Sequence, residues 1–266
     1  MRSLKQCVFN TLLHSRTYPH IYFSANPFKI HEFRELMKEV KLVPSDVVLD
    51  IGCGVGLQTV LVGKRCKKIV GIDVNPNVIA RAQSDQAHVL GRINCEFRCT
   101  TIEDAHFADN MFDKIMSFCV IEHIPDYMRV LRECYRTLKP GGCLVVSLDS
   151  LATIDDEALK RKHTEDQAVR YYFRPDAICR DLDAIGFKDV SVAPLFCSAF
   201  ARDLFMKGIR NQFRFRYMEA IRLSREIEKA ERHAEQRERG IFLIARATKM
   251  PASPADSRLR ETASLP

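Results

Sequence analysis

The sequence predicts an α/β fold, a mostly parallel sheet flanked by helices, and three observations carry that reading. The stretch Val47 to Gly56, VVLDIGCGVG, is an apolar β-rich run closed by Asp50 and then by glycines at alternate positions. Leu57, Val60, Leu61 and Val62 follow at once with helical spacing. Beyond them, short apolar runs alternate with longer helical patterns, the rhythm of βα units.

Composition bounds the answer. The chain has 266 residues, 46% of them hydrophobic, enough for one sizeable domain with additions. Its 41 basic and 34 acidic residues give a net charge of +7, a mildly basic surface that does not by itself call for nucleic acid. The 10 cysteines are scattered without a C-x-x-C pair; Cys95 and Cys99 stand closest, with no histidine cluster beside them. Cys119, Cys134 and Cys143 fall inside core-like runs, so the cysteines read as reduced, apolar residues of a cytoplasmic protein. No run of about 18 apolar residues is present, and MRSLKQCVFNTLLHS lacks an apolar centre followed by a cleavage site, so neither a transmembrane helix nor a signal peptide is expected.

In order, residues 1–43 form an N-terminal helical segment. Tyr18, Tyr22 and Phe23 are candidates to cover a ligand or simply to pack. Asn26-Pro27 starts a helix with the stripe Phe28, Ile30, Phe33, Leu36, Met37 and Val40. The main domain runs over 44–248. Its strands are expected at 47–51, 68–72, 93–98, 114–118, 143–148, 187–193 and 241–248. Helices are expected over 77–90, from Pro125-Asp126 to a stop at Lys139-Pro140-Gly141-Gly142, and over 175–185 before Gly186. Residues 100–110 suit a polar loop, and the charged stretch 149–174 a lid or substrate loop. Residues 195–239 suit a helical insertion before the last strand, and the Pro-, Ser- and Ala-rich residues 249–266 a disordered tail.

The glycine loop carries the chemistry. Gly52, Gly54 and Gly56 let the chain turn sharply and present N–H groups to a ligand. The spacing is Gly-x-Gly-x-Gly, unlike the Gly-x-Gly-x-x-Gly of dinucleotide sites. Asp50 stands two residues ahead, where it would repel a diphosphate and suit a ligand with an ammonium and a sulfonium. S-adenosylmethionine (SAM) carries both and no phosphate. Asp73 closes the second strand about 20 residues on, placed to accept from ribose hydroxyls.

Four blocks in order, VVLDIGCGVG, IVGIDVNP, DNMFDKIMSFCVIEHI and LRECYRTLKPGGCLVVS, resemble the class I SAM-dependent methyltransferases, in particular those acting on small molecules and lipids. The resemblance covers roughly residues 26–193 and 241–248. It implies a Rossmann-like, seven-stranded, mostly parallel sheet. It implies that Asp50, Gly52, Cys53, Gly54 and Gly56 cradle the amino-acid part of SAM. Asp73 and Val74 would meet the ribose, Thr101 and Ile102 the adenine, and Phe118, through its carbonyl, the methionine end. Thr101 stands where the family usually has an aspartate, and Glu103 or Asp104 is the alternative in a shifted register.

Methyl transfer needs positioning first, and a base where the nucleophile is a hydroxyl. His123, after the fourth strand, is the candidate base, with a loop-shaping role as the alternative. Glu122 reads as a structural partner, and His106 and His163 as lesser candidates for substrate contact. Ser117-Phe118-Cys119-Val120 replaces the Asn/Asp-Pro-Pro-aromatic motif of base-modifying enzymes, and no proline precedes Cys119, which argues against nucleic-acid base methylation. Asp149 alone is not a metal cluster, so no metal is expected. Over 200–225, Phe205, Ile209, Phe213 and Tyr217 share a helical face, and Lys207, Arg210, Arg214, Arg222 and Arg225 lie off it. Such a helix would pack on its own domain, or lie on a membrane or an acidic substrate. Glu228, Glu231, Glu235 and Glu238, interleaved with basic residues, read as a solvated, salt-bridged helix.

The expected function is therefore SAM-dependent methyl transfer to a small-molecule, glycan or lipid-like acceptor, on oxygen. The alternatives are an RNA or protein methyltransferase docking through the basic helix, a dinucleotide-dependent oxidoreductase, and a SAM-binding protein without turnover.

Overall fold

The structure is a computed structural model that describes residues 24–90, 93–235 and 237–251, with the side chains of 88–90 left aside. Tyr18, Tyr22, Phe23 and most of the expected tail lie outside these residues.

Seven strands form one sheet in the order β3-β2-β1-β4-β5-β7-β6. They are β1 (Val47–Ile51), β2 (Lys68–Asp73), β3 (Cys95–Cys99), β4 (Phe112–Phe118), β5 (Leu138–Asp149), β6 (Lys188–Leu195) and β7 (Phe242–Thr248). β7 runs antiparallel between β5 and β6, and the other pairings are parallel. Strand order reverses between β1 and β4. In an open α/β sheet a ligand crevice forms at the carboxyl ends beside such a reversal.

The strands alternate strictly between two buried faces. Val48, Met116, Phe118, Cys143, Val145 and Ile244 share one apolar cluster, and Leu49, Ile51, Ile115, Leu144, Val146 and Leu243 the other. The period-2 pattern of a sheet covered on both sides requires this. The first face is covered by helices α1 (Pro27–Val40), α7 (Ala199–Arg210) and α8 (Tyr217–Arg232), and the second by α4 (Tyr127–Thr137) and α6 (Pro175–Ile185). Val60 of α2 (Leu57–Gly63) meets Ile79 and Ala82 of α3 (Pro76–Leu90) in a smaller cluster over β3.

Local signals start the helices where the sequence placed them. Asn26 Oδ1 accepts from Phe28 N at 3.0 Å with Pro27 at the first helical position, and Asp126 Oδ1 accepts from Arg129 N at 3.1 Å. Gly186, at φ 114°, ends α6 in a left-handed conformation.

Five expectations change. The third and fourth strands shift to 95–99 and 112–118. α4 ends at Thr137, because Leu138 is extended and pairs with Phe112, so Lys139-Pro140-Gly141-Gly142 lies within β5 rather than stopping a helix. The stretch 149–174, expected as a lid or substrate loop, is partly helical. It holds helix α5 (Glu157–Gln167), capped by Asp156, and buries Leu151, Ile154, Leu159, His163 and Phe173. The stretch 200–225 is not one helix. It breaks at 211–216 into α7 and α8, and Phe213 turns back against Gly208, where an added Cβ would lie 2.6 Å from its ring. Phe205 and Ile209 are buried in the domain core. Glu231, expected to be solvated, accepts from Cys197 N, Ser198 N and Ser198 Oγ at 2.6–2.9 Å and fixes the entry to α7. No helix among the described residues is long and apolar enough to cross a membrane.

Phe205 meets Phe28, Phe213 and Phe242 edge-on at ring separations of 5.0–5.7 Å. Phe205→Ala should therefore destabilise the fold by about 3–5 kcal/mol in urea denaturation. A change below 1 kcal/mol would show that the two-helix insertion packs independently of the core.

Candidate active site

At the carboxyl end of β1 the chain turns under the amide groups of Gly52 and Cys53, which donate to Ile72 O at 2.8 and 3.0 Å. Gly52, Gly54 and Gly56 have φ of 72°, 53° and 73°, in the left-handed region. A Cβ on Gly52 would sit 2.3 Å from Val120 Cγ2, and one on Gly56 2.3 Å from the Phe97 ring. Gly54 N donates to Asp73 Oδ2 at 3.0 Å, and Asn75 N donates to Asp73 Oδ1 at 2.9 Å. One carboxylate thus ties the loop after β1 to the loop after β2.

A cavity of about 360 Å³ opens beside this tie. Six of the sequence-derived residues line it: Gly52, Asp73, Val74, Thr101, Ile102 and His123. Val120, Ile124, Pro125 and Glu103 complete much of the wall. Val74 is 68% exposed at the mouth, an apolar side chain left uncovered beside a crevice. Thr101 Oγ1 donates to Asp104 Oδ2 at 3.0 Å and accepts from Asp104 N at 3.1 Å. Its hydroxyl and Asp104 therefore close a local turn, and Glu103 is the acid of this loop that borders the cavity.

The other expected residues do not line it. Asp50 is wholly buried beneath the loop, where Thr59 Oγ1 donates to its Oδ2 at 2.6 Å and Oδ1 has no partner. Burial, opposed by the Thr59 bond, pushes its carboxyl up to about 7. The acids that line the cavity are Asp73 and Glu103. Cys53 is buried against Gly71 and Phe97. Gly54 and Gly56 shape the turn without bordering the cavity. The Phe118 ring stacks on Phe33 at 5.8 Å, and Val120, two residues on, lines the cavity.

His123 lines a second, smaller cavity of about 120 Å³ as well. There β4, β5, α1 and α5 bring polar groups together. Lys29 Nζ lies 2.9 Å from Glu32 Oε2. Ser147 Oγ and Cys119 Sγ both donate to Glu32 Oε1, the thiol at 3.2 Å. His163 Nε2 lies 3.9 Å from Asp149 Oδ2, and its Nδ1 meets Tyr172 Oη at 3.1 Å. Glu122 is fully buried, and neither of its carboxylate oxygens has a hydrogen-bond partner. Burial, with the neighbouring charge of Asp149, holds the Glu122 carboxyl well above its usual range, and burial raises Asp149 too. Burial lowers His163 to about 4, so it is neutral near pH 7.

By sequence Glu122 is a structural partner and Asp149 is solitary, and Lys29 and Glu32 carry no motif. Only a strand-end register could reveal the cluster, since its members lie up to 134 residues apart in the chain (29 to 163). One signal was available: Glu32 falls on the apolar stripe of α1 beside Phe28 and Leu36. A charge on a buried face demands partners. His106 lies away from both cavities.

The buried Asp50 has a raised carboxyl, so the folded state holds its proton more tightly than the unfolded chain. Stability is then lost as pH rises from about 4 to about 7. Asp50→Asn, which keeps an acceptor for Thr59, should lose up to a few kcal/mol less stability than the parent between pH 5 and pH 8, by urea unfolding. Identical pH profiles would show Asp50 to be charged throughout.

Residues 49–146 match the methyltransferase domain family. An arsenite methyltransferase from Halobacterium salinarum is 29% identical over 58% of this chain and 40% of its own length. A ubiquinone biosynthesis O-methyltransferase from a Bradyrhizobium species is 34% identical over 44% of this chain and 45% of its own length. The chain thus spans less than half the length of these curated relatives. Among solved structures, Haemonchus contortus phosphoethanolamine N-methyltransferase 2, with phosphomonomethylethanolamine and S-adenosylhomocysteine, superposes with a TM-score of 0.61 at 20% identity, over 82% of this chain and 52% of that one. The [4+2]-cyclase SpnF superposes at 0.59 and 19% identity over 94% of both chains. At such identities the likeness speaks for the fold alone. With the domain match, the ordered blocks and the crevice at the β1/β4 reversal together, this chain carries a class I methyltransferase domain.

Proposed function

We propose that the chain is a SAM-dependent methyltransferase acting on a small-molecule acceptor held in the second cavity, with transfer to oxygen. The observation that carries this reading is the position of His123, a shared wall between the Asp73-lined crevice and the polar cavity.

The first cavity fits the cofactor. Its volume lies within the usual range of roughly 300–1,000 Å³ for small-molecule sites, its walls are largely apolar, and its floor at Gly52 has no room for a side chain. Asp73 retains lone pairs for ribose hydroxyls beyond the two it gives to backbone amides. Ile102 and Glu103 are left to meet the adenine, since Thr101 and Asp104 satisfy each other. When bound, SAM supplies a methyl group on a sulfonium, a good leaving group for in-line displacement. What remains for the chain is to orient the acceptor and take its proton.

His123 is prepared for the second task. Its Nδ1 lies 3.3 Å from Ala168 O. A carbonyl only accepts, so Nδ1 carries the hydrogen and Nε2 of the neutral ring keeps its lone pair. Ala168 belongs to the segment after α5, and Arg170 N and Tyr171 N donate to Glu122 O at 2.9 and 3.2 Å. The stretch read as a lid thus buttresses the base.

Asp73→Ala should weaken SAM binding by about 1–3 kcal/mol in calorimetry. His123→Ala should reduce turnover by roughly 10²–10⁴-fold while SAM affinity stays within a factor of two. Unchanged turnover would make His123 a shaping residue. Labelled methyl groups should appear in the small-molecule fraction of an extract, and label confined to RNA or protein would favour a docking enzyme instead. Heat evolved with NAD and none with SAM would remove the reading altogether.

A further inference from the structure

We propose that Cys119, Glu122 and Asp149 form a binding site for a divalent cation of the borderline class, Zn²⁺ or Co²⁺, opening on the second cavity. Cys119 is the first residue after β4, Asp149 the last of β5, and Glu122 sits in the 3₁₀ turn Ile121–His123 between them. One donor atom from each lies within 4.8 Å of the others.

Glu122 independently points to a ligand. It lines the cavity, is fully buried, and offers two oxygens that nothing in the protein satisfies. Buried polar oxygens in that state cost free energy until a partner arrives. Protein cations make no direct pair with Glu122. Lys29 is matched by Glu32 at 2.9 Å, and among the described residues no lysine or arginine pairs with Glu122 or Asp149. The carboxyls of Asp149 and Glu122 face one space, with Lys29, already paired with Glu32, as the nearby positive charge.

The donor chemistry selects the ion. A thiol beside two carboxylates suits a borderline metal better than Mg²⁺ or Ca²⁺, which take oxygen donors alone. His163 stands outside this group of three, beside Asp149. Its Nε2 is 3.9 Å from Asp149 Oδ2, near the roughly 3.3 Å that separates two ligands of one tetrahedral Zn²⁺ ion. The Nδ1 contact with Tyr172 Oη orients the ring as an outer partner does in metal sites. On binding, the Cys119 proton now directed at Glu32 Oε1 and the proton that burial keeps on Glu122 both leave to solvent. A cation there would confront an acceptor in the second cavity, and that role rests on the function proposed above. Its binding does not.

The full chain, stripped with chelator and titrated with Co²⁺, should develop thiolate-to-cobalt absorption in the near ultraviolet, displaced by Zn²⁺. Cys119→Ser should abolish that band. Glu122→Gln, nearly isosteric, should weaken Co²⁺ binding by at least the roughly 10–100-fold that loss of an outer partner costs. SAM affinity, measured in parallel, should be unchanged in both variants, which certifies folding and separates this site from the cofactor cavity. Absence of the band in the parent chain, equal Co²⁺ affinity in Glu122→Gln, or binding of methylammonium in place of Co²⁺ would each overturn the proposal.

Discussion

The closeness of the chain after β1 to the chain after β4 is the constraint on which the rest of this molecule depends. Gly52 faces the isopropyl group of Val120 with no room for a methyl group between them. Strand order reverses there, so the two loops leave the sheet edge side by side and no crossover helix covers the gap. Asp73 then ties the glycine turn to the loop after β2 through the Gly54 amide. The first cavity is what remains between these three loops.

Polar groups distribute themselves by strand parity. Asp50, Ser147 and Asp149 fall on the same side of the sheet as Val48, Cys143 and Val145, and α1 covers the β5 pair. That helix contributes Glu32 and Lys29. The fold therefore encloses several carboxylates on one face at the carboxyl ends of its central strands. Burial raises those of Asp50, Glu122 and Asp149. A structure that retains such groups gives up stability for chemistry, a pattern that marks functional sites more often than scaffolds.

The additions to the common sheet serve the same end. α1, α7 and α8 close the face through aromatic edge contacts, Phe28 with Phe196, Phe205 and Phe213. α5 and the chain after it bring His163 beside Asp149 and hold His123 through Ala168. These are the parts that share least with a generic domain. They shape the second cavity, where acceptor selectivity would reside, whereas the first cavity belongs to the shared core.

The sequence by itself determined the sheet and the crevice at its carboxyl edge. Apolar runs of period 2, glycines at alternate positions and caps such as Asn26 and Asp126 act over a few residues, and local sterics and hydrogen bonding decide them. Asp73, Gly52 and Ile102 could be placed because each sits at a fixed offset from a strand end. Asp50 could not, because whether a strand-end carboxylate faces the ligand or dives beneath the loop depends on a partner, Thr59, presented by the next helix. The break between α7 and α8 and the meeting of Cys119, Glu122, Asp149 and His163 were likewise settled only in three dimensions. Strand register and helix docking juxtapose residues far apart in the chain, and no local pattern records which buried charges will face one another.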